Sequence, residues 1–373
     1  MCVRGGEQGR GERRIRDIWD DRLVHGLLEP GTRGWVAGQM EHRRFWQRVA
    51  MRAGLVMGAA AGGRIVADGA AMDPMMSALV RFARRMAPPG MGDGELGPEG
   101  LAALRAGYAS ALALSGMRAE PGVVVEAFAI PGLAPGRSYV PKDAVGTLLY
   151  FHGGGFIMGS AATHDGLCGR LAAEAGVRVV SAEYRLAPEH PFPAAHDDAA
   201  AALAYVQAGC VGPLLVGGDS AGANLAASLA RDGGVAGQVL LYPIVDMVRS
   251  PGRYPSLDVF ADGFLLTAEG MNACGRALMS PGQDPAEDRL SPIGAALGQA
   301  APAVVAVAGF DPLRDQGRAY AAALRAAGRR VEVLEEPGLV HGFADFAGVV
   351  PAARRAVDRV AAAVRRLVAD AVV

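Results

Sequence analysis

Lysine is almost absent from this sequence, and neither sign of charge is in excess. Lys142 is the single lysine in 373 residues, so arginine supplies nearly all of the 37 basic residues that face 38 acidic ones. The net charge of −1 provides no basic field for phosphate groups, which excludes the simplest nucleic-acid-binding function. It offers no polybasic attraction to anionic membranes either.

Paired cysteines and uninterrupted apolar runs are also lacking. The four cysteines, Cys2, Cys168, Cys210 and Cys274, form no C-x-x-C pair and no metal-like spacing with histidine. We therefore predict no metal site and no disulfide framework, but reduced thiols and a cytoplasmic location. The stretch 290–310 carries no charge, but its prolines and glycines are typical of a loop followed by a buried strand. No stable membrane insertion is expected.

The first 71 residues differ in composition from the rest. Residues 1–71 are rich in arginine and glycine and show little periodicity, although Gln39–Arg52 could form a short basic helix. This composition predicts an atypical N-terminal extension that is poorly ordered or not part of the native protein. Half of all residues are apolar (51%), so residues 72–373 can bury a large core as one domain.

Downstream of the extension the pattern predicts regular structure. Asp73 and Pro74 predict a capped helix over Met75–Met86, and a second helix is expected over Pro98–Ser115. Apolar strands then alternate with helices, which indicates an α/β fold with a mostly parallel sheet covered on both faces. The predicted strands are Val123–Ile130, Thr147–Phe151, Val177–Ala182, Leu214–Val216, Gln238–Tyr242, Ala303–Ala308 and Val331–Leu334. The predicted helices are Asp165–Ala175, Ala194–Ala208, Ala221–Arg231, Gln316–Ala327 and Pro351–Ala369.

The strongest chemical signal is Gly218-Asp219-Ser220-Ala221-Gly222, between a predicted strand and a predicted helix. This context is typical of a nucleophile elbow, a sharp turn that exposes the serine hydroxyl and needs glycine where backbones approach. The simpler interpretation is that Ser220 caps the helix.

A second signal is the run His152-Gly153-Gly154-Gly155-Phe156, directly after a predicted strand. Three glycines leave backbone N–H groups open to a ligand, which acyl transfer requires to hold the negative oxygen of a tetrahedral intermediate. The simpler interpretation is a flexible turn. The spacing is not G-x-G-x-x-G, so a dinucleotide site is excluded.

A serine nucleophile needs a base that is oriented by an acid. His341 alone among the seven histidines follows Ser220 in sequence, and the chain order of α/β-hydrolases is serine, acid, histidine. Asp311 follows the strand predicted over Ala303–Ala308, so it is the expected acid. Asp315 is the alternative, although we expect it to cap the helix that begins at Gln316.

The sequence resembles the hormone-sensitive-lipase-like family (bacterial family IV) of α/β-hydrolase carboxylesterases over about 72–373. The resemblance rests on five motifs in the family's order: His152–Phe156, Tyr184–Ala194, Gly218–Gly222, Asp311–Asp315 and His341–Phe343. It implies an α/β-hydrolase fold with a helical cap, built from about 72–120 and from an insertion near 252–281. It also implies that no cofactor is needed. Tyr184–Ala194 is interpreted as scaffold, because its prolines would rigidify the connection into the next helix.

The resemblance also implies roles for particular residues. Ser220 would be the nucleophile, with His341 and Asp311 as its relay. The oxyanion hole would consist of Gly154, Gly155 and Ala221.

The expected activity is hydrolysis of short- to medium-chain acyl esters through an acyl-enzyme, with a small-molecule ester as the binding partner. An amide- or formamide-cleaving hydrolase with the same relay is the alternative, and a non-catalytic ligand receptor is a further one. A homodimer is left open. Apolar residues could line an acyl or alcohol pocket or belong to the core: Phe156, Met158, Phe260, Phe264 and Leu265.

Overall fold

The computed structural model describes residues 30–86, 97–248, 250 and 252–372. The chain divides into two compact units, residues 1–49 and residues 50–373. The described part of the first unit is the beginning of helix α1 (Pro30–Ala61), so the short helix expected over Gln39–Arg52 is part of a longer one. Residues 1–29 of the predicted extension, with Cys2, lie outside the described residues, as do residues 87–96.

Residues 50–71 belong to the larger unit. Leu55 on α1 is buried, and Ile65 packs against the same apolar cluster. Strands β1 (Val66–Ala67) and β2 (Ala70–Ala71) form a small antiparallel hairpin. Residues 50–71, which the sequence analysis assigned to the extension, thus pack against the core of the larger unit.

Eight strands form the central sheet of the described chain. They are β3 (Val123–Phe128), β4 (Gly136–Pro141), β5 (Thr147–Phe151), β6 (Arg178–Ala182), β7 (Leu214–Asp219), β8 (Gly237–Leu241), β9 (Ala303–Phe310) and β10 (Val331–Val340). Their order is β10-β9-β8-β7-β5-β6-β4-β3. Strand β4 pairs antiparallel with β3 and β6, and the other neighbours are parallel. The mostly parallel sheet is therefore confirmed.

Helices cover both faces of this sheet. One face carries α4 (Asp165–Ala175) and α10 (Pro351–Val372), and the other carries α5 (Ala194–Gln207), α6 (Ala221–Ala230) and α9 (Arg314–Ala326). The further helices are α2 (Pro74–Met86), α3 (Pro98–Ser115), α7 (Pro255–Val259) and α8 (Ala268–Leu278). Leu148 and Tyr150 of β5 enter the apolar core beneath α4 and α10. Leu149 and Phe151 enter the core beneath α5, α6 and α9. This alternation follows from the two-residue period of a strand.

Most predicted elements lie within a few residues of their observed bounds, and the cap of α2 is confirmed. Asp73 Oδ1 accepts hydrogen bonds from the backbone N–H groups of Met75 and Met76, at 2.9 and 3.1 Å. Strand β4 was not predicted. The segment 252–281 contains α7 and α8. Within the described residues, none of the helices has the length and apolar character needed to cross a membrane.

Candidate active site

Ser220 occupies the sharp turn between β7 and α6, with φ +51° and ψ −113°. This conformation is strained for a residue with a side chain. A Cβ at Gly222 would collide with the carbonyl oxygen of Phe151, and one at Gly218 would lie 2.5 Å from the same oxygen. The two glycines are therefore required by the close approach of β5 to the turn. As a result, the turn presents the Ser220 hydroxyl at the C-terminal ends of the parallel strands.

The structure brings His341 and Asp311 together with Ser220. His341 Nε2 lies 3.0 Å from Ser220 Oγ, and His341 Nδ1 lies 2.9 Å from Asp311 Oδ2. Because an ionised carboxylate only accepts, Nδ1 carries the hydrogen and Nε2 is free to accept the hydroxyl proton. Asp311 is fixed by the backbone N–H of Leu313, which donates to Oδ1 at 2.7 Å. Its side chain is 1% exposed, against 10% for His341.

Strand pairing explains why His341 and Asp311, which are 30 positions apart in the sequence, meet. The register of β9 and β10 shifts between Glu336 and Val340, after which Val340 pairs with Phe310. His341 and Asp311 follow these paired residues directly. Their side chains therefore leave the same edge of the sheet next to each other.

Asp315, the alternative acid, lies elsewhere. Its Oδ2 accepts a hydrogen bond from the backbone N–H of Ser256 at 2.9 Å, and its Oδ1 accepts one from Arg314 Nε at 2.9 Å. Helix α9 begins at Arg314, with Leu313 as its N-cap residue. The prediction that Asp315 caps this helix is wrong, because the helix begins before it and Asp315 joins α9 to α7 instead.

The glycine turn after β5 lines the same cavity as Ser220, and Gly154 and Gly155 have φ values of +118° and +62°. A Cβ at Gly154 would collide with the carbonyl oxygen of Met158, and one at Gly155 would lie 2.5 Å from Cys274 Sγ. In the part of the chain that the structure describes, no group accepts a hydrogen bond from the backbone N–H of Gly154, Gly155 or Ala221. These three donors are available to a ligand.

Asp219 supports the glycine turn, a role that the sequence analysis did not assign. Its Oδ1 accepts hydrogen bonds from the backbone N–H of Gly153 at 2.9 Å and from the Tyr150 hydroxyl at 2.8 Å. His164 Nε2 lies 3.3 Å from the same oxygen. The sequence did contain a signal for this role. Asp219 directly precedes the serine in the Gly218–Gly222 motif, and a side chain at that position must point back beneath the turn.

The charges of Asp219 and His164 stabilise each other in the interior. Burial opposes both charges, but it is outweighed by the attraction between the two groups. The result is a pKa of Asp219 below its ordinary value and a pKa of His164 raised to about 9. At neutral pH the glycine turn therefore lies over a buried ion pair.

The motif Tyr184–Ala194 connects the surroundings of the site. The Tyr184 hydroxyl donates to the carbonyl oxygen of His152 at 2.8 Å. Arg185 binds both carboxylate oxygens of Asp198 on α5 through Nε, at 3.1 and 2.9 Å. Arg105 of α3 pairs with Glu189 at 2.7 Å. These bonds tie the motif to the glycine turn, to α5 and to α3, as its interpretation as scaffold requires.

A largely apolar cavity of about 330 Å³ opens onto Ser220 and His341. Of the five apolar residues for which pocket and core were both open, Phe156, Met158 and Leu265 line it. Phe260 and Phe264 do not, because they are buried in the core, where both rings pack against Phe310. The sequence analysis missed further lining residues: Tyr108, Ile244, Met247, Met271, Cys274 and Leu278.

Together, the sheet order, the serine at the β7–α6 turn and the histidine after the last strand define an α/β-hydrolase. A family model described as alpha/beta hydrolase fold matches residues 148–345. The chain belongs to this family and, within it, to the hormone-sensitive-lipase-like carboxylesterases.

Relatives with assigned names are similar over most of the chain. "Carboxylic ester hydrolase LipN" of Mycobacterium tuberculosis is 39% identical, covering 76% of this chain and 80% of its own length. "Esterase LipI" of the same organism is 42% identical, covering 63% of this chain and 75% of its own. The solved structure of the hyperthermophilic esterase of Pyrobaculum calidifontis has a TM-score of 0.71 and 34% identity, covering 79% of this chain and 98% of that one.

Proposed function

We propose that this carboxylic-ester hydrolase cleaves short- to medium-chain acyl esters, with Ser220 as nucleophile, His341 as base and Asp311 as orienting acid. The observation that carries the proposal is the continuous contact from Ser220 Oγ through the imidazole to Asp311, at 3.0 and 2.9 Å. This line of contacts lies beside the three backbone N–H groups of the expected oxyanion hole, for which the described residues offer no acceptor. This combination is the geometry that nucleophilic acyl transfer needs.

In the first half of the reaction, Ser220 Oγ attacks the ester carbonyl carbon while His341 Nε2 takes the hydroxyl proton. Asp311 holds the imidazole through Nδ1 and stabilises the imidazolium that forms. The carbonyl oxygen becomes an oxyanion, which accepts hydrogen bonds from the N–H groups of Gly154, Gly155 and Ala221.

In the second half, the carbon–oxygen bond to the alcohol breaks, and His341 gives its proton to the departing alkoxide. A water molecule then attacks the acyl-enzyme, with the same imidazole accepting its proton. The new intermediate collapses to the carboxylic acid, and the proton returns to Ser220 Oγ. Every proton in the cycle passes through Nε2 of one histidine.

The size and polarity of the cavity favour short to medium acyl chains. Its volume of about 330 Å³ is at the lower end of the range for ligand cavities, about 300–1,000 Å³. Its walls are mostly aliphatic and thioether side chains. Such a cavity gains free energy by burying a few methylene groups, but a long chain would extend beyond it.

An acyl-chain series tests this proposal. We expect p-nitrophenyl esters from acetate to octanoate to contain the maximum of kcat/KM, with palmitate far below it. Ser220→Ala should lower kcat by about 10⁵-fold or more, since the nucleophile is lost, whereas Ser280→Ala on the exposed surface should not change it. Undiminished turnover by Ser220→Ala, or a maximum at palmitate, would refute the assignment. A higher kcat/KM on matched anilides than on esters would favour the amidase alternative.

A further inference from the structure

The cavity contains a polar group that the proposed reaction does not use, the carboxyl group of Asp345. This residue lies on the short 3₁₀ turn Phe343–Phe346, which Gly342 separates from His341. It lines the same cavity as Ser220 and His341, in walls that are otherwise mainly apolar. A carboxyl group in such a wall is costly unless it has partners.

The backbone of Asp345 is held firmly, but its carboxyl group is not. Its N–H donates to the carbonyl oxygen of Gly342 at 3.0 Å, and its own carbonyl oxygen accepts from Ser115 Oγ of α3 at 2.8 Å. Tyr108 of α3 also lines the cavity. Its hydroxyl donates to Asp345 Oδ2 over a distance of 3.4 Å, which is long for a hydrogen bond. A carboxyl group has about four acceptor positions, so this one retains capacity for a ligand.

The charges behind Asp345 restrict what that ligand can be. One nitrogen of His164 and one oxygen each of Asp219 and Asp345 lie within 4.8 Å of one another. Burial raises the pKa of Asp345, the charge of His164 opposes this rise and that of Asp219 adds to it, and the net result is a pKa of about 7. Asp345 thus exists in both protonation states near neutral pH, next to a positively charged imidazole.

We propose that Asp345 and Tyr108 form a polar subsite that binds a neutral hydroxyl group of the ester substrate. The inference rests on the proposed function, because the subsite lies in the cavity that would hold the substrate during acyl transfer. The preferred substrates are then esters whose acyl or alcohol part carries a hydroxyl group.

Three classes of substituent can be compared at this subsite. A hydroxyl group donates to the ionised carboxylate and accepts from the protonated form, so it satisfies either state of Asp345. A keto group only accepts, so it pairs with the protonated form alone. An ammonium group only donates, so it pairs with the ionised form alone, and a mainly apolar cavity desolvates it at a cost.

Matched substrates test the subsite on both sides of the ester. Ethyl 3-hydroxybutyrate is compared with ethyl 3-methylbutyrate, and 2-hydroxyethyl butyrate with propyl butyrate, so that each pair exchanges a hydroxyl for a methyl group. We expect wild-type protein to prefer the hydroxyl member of at least one pair by about tenfold in kcat/KM, the size of a good hydrogen bond. Ethyl 3-aminobutyrate should gain no such preference.

Variants then assign the preference to these residues. Asp345→Leu should abolish it, mainly through KM, whereas Asp345→Asn, which still donates and accepts, should retain most of it. Tyr108→Phe should reduce it about threefold, since one neutral hydroxyl is removed. Asp232→Leu, at a side chain 77% exposed, is the matched control and should leave the ratio unchanged.

Wild-type protein that hydrolyses both methyl esters but prefers neither hydroxyl ester would overturn the subsite and leave the proposed esterase intact. A preference for the hydroxyl ester that persists in both Asp345→Leu and Tyr108→Phe would likewise overturn the subsite and leave the esterase intact. Absence of hydrolysis of every ester by wild-type protein would instead count against the proposed function. If Asp345→Leu does not fold, Tyr108→Phe and the wild-type ratios still decide the matter.

Discussion

The cavity has two walls of different construction. The sheet wall consists of backbone and polar groups at the ends of strands: Gly154, Gly155, Ser220, Ala221 and His341. The helix wall consists of side chains from α3 and α8: Tyr108, Met271, Cys274 and Leu278. On the sheet wall, positive φ values and close contacts constrain Gly154, Gly155 and Ser220. On the helix wall, apolar volume is the main requirement.

The difference follows from what each wall contributes. Proton transfer and oxyanion binding depend on donor–acceptor distances near 3 Å, and these tolerate little displacement. Filling a cavity with an apolar chain depends on volume, and similar side chains exchange at small cost. We therefore expect substitutions in the sheet wall to abolish activity, and substitutions in the helix wall to redirect it.

After the loss of the nucleophile itself, the largest effect should come from the acid that orients His341. Asp311→Asn keeps the shape of the side chain but favours the wrong tautomer of the imidazole, and should lower kcat by about 10⁴-fold. Asp315→Asn is the matched control, because Asp315 contacts Ser256 and Arg314 instead of His341. Steady-state kinetics on a butyrate ester measures both. A larger loss of kcat in Asp315→Asn than in Asp311→Asn would show that Asp315 is the acid that orients His341.

The next largest effect should come from the glycine turn. Gly155→Ala places a Cβ 2.5 Å from Cys274 Sγ at a φ of +62°, which should displace the N–H donor. We expect kcat to fall by about 10²–10³-fold, the loss typical of one oxyanion donor. Gly107→Ala, where a Cβ meets open space, is the control. Normal turnover by Gly155→Ala would show that the N–H group of Gly155 is not part of the oxyanion hole.

The ion pair beneath the sheet wall should make stability depend on pH. The pKa of His164 is raised from 6.5 to about 9 by Asp219, against the effect of burial. A raised pKa stabilises the fold below about pH 6.5, and this contribution is lost as pH rises through 9. The loss is of the order of 3 kcal/mol.

Urea unfolding at pH 6 and pH 9.5 measures that contribution. We expect the decrease in the free energy of unfolding between the two pH values to be clearly smaller in His164→Gln than in wild-type protein. His190→Gln, at an exposed histidine, should behave like wild type. An equal decrease in His164→Gln and wild-type protein would show that the ion pair contributes nothing.

The smallest effect should come from the helix wall. Met271 of α8 lines the cavity, and Met271→Phe would fill part of it. We expect kcat/KM to fall about tenfold on hexanoate but less than about threefold on acetate, because only the longer chain loses space. Met57→Phe, at a side chain 66% exposed, is the control. An equal loss on both esters would mean that the substitution disturbs the sheet wall as well.

The two walls also differ in how far they could be predicted from the sequence. Ser220 and Asp311 were predicted from the apolar strands that they follow, and His341 from its position after Ser220 in the chain. The glycine turn was predicted from its three glycines, which leave backbone N–H groups open. Strand and helix bounds were mostly correct because apolar runs and glycine punctuation are local signals.

The helix wall left no comparable signal. Tyr108 and Cys274 reach the cavity through the packing of α3 and α8, which no local pattern encodes. Phe260 and Phe264 were candidate pocket residues, yet they lie in the core, because an aromatic residue suits either place equally well. Strand β4 was missed since Gly136–Pro141 shows no clear alternation of apolar and polar residues. The open homodimer and the cytoplasmic location stay predictions.

Covalent labelling tests the central claim about Ser220 most directly. A fluorophosphonate probe reacts with a serine that is activated by a base. We expect one molecule of probe per chain, located on Ser220 by peptide mass spectrometry, with activity lost in proportion to labelling and no labelling in Ser220→Ala. Complete loss of activity with the probe on another residue, or full turnover by protein labelled at Ser220, would contradict the claim.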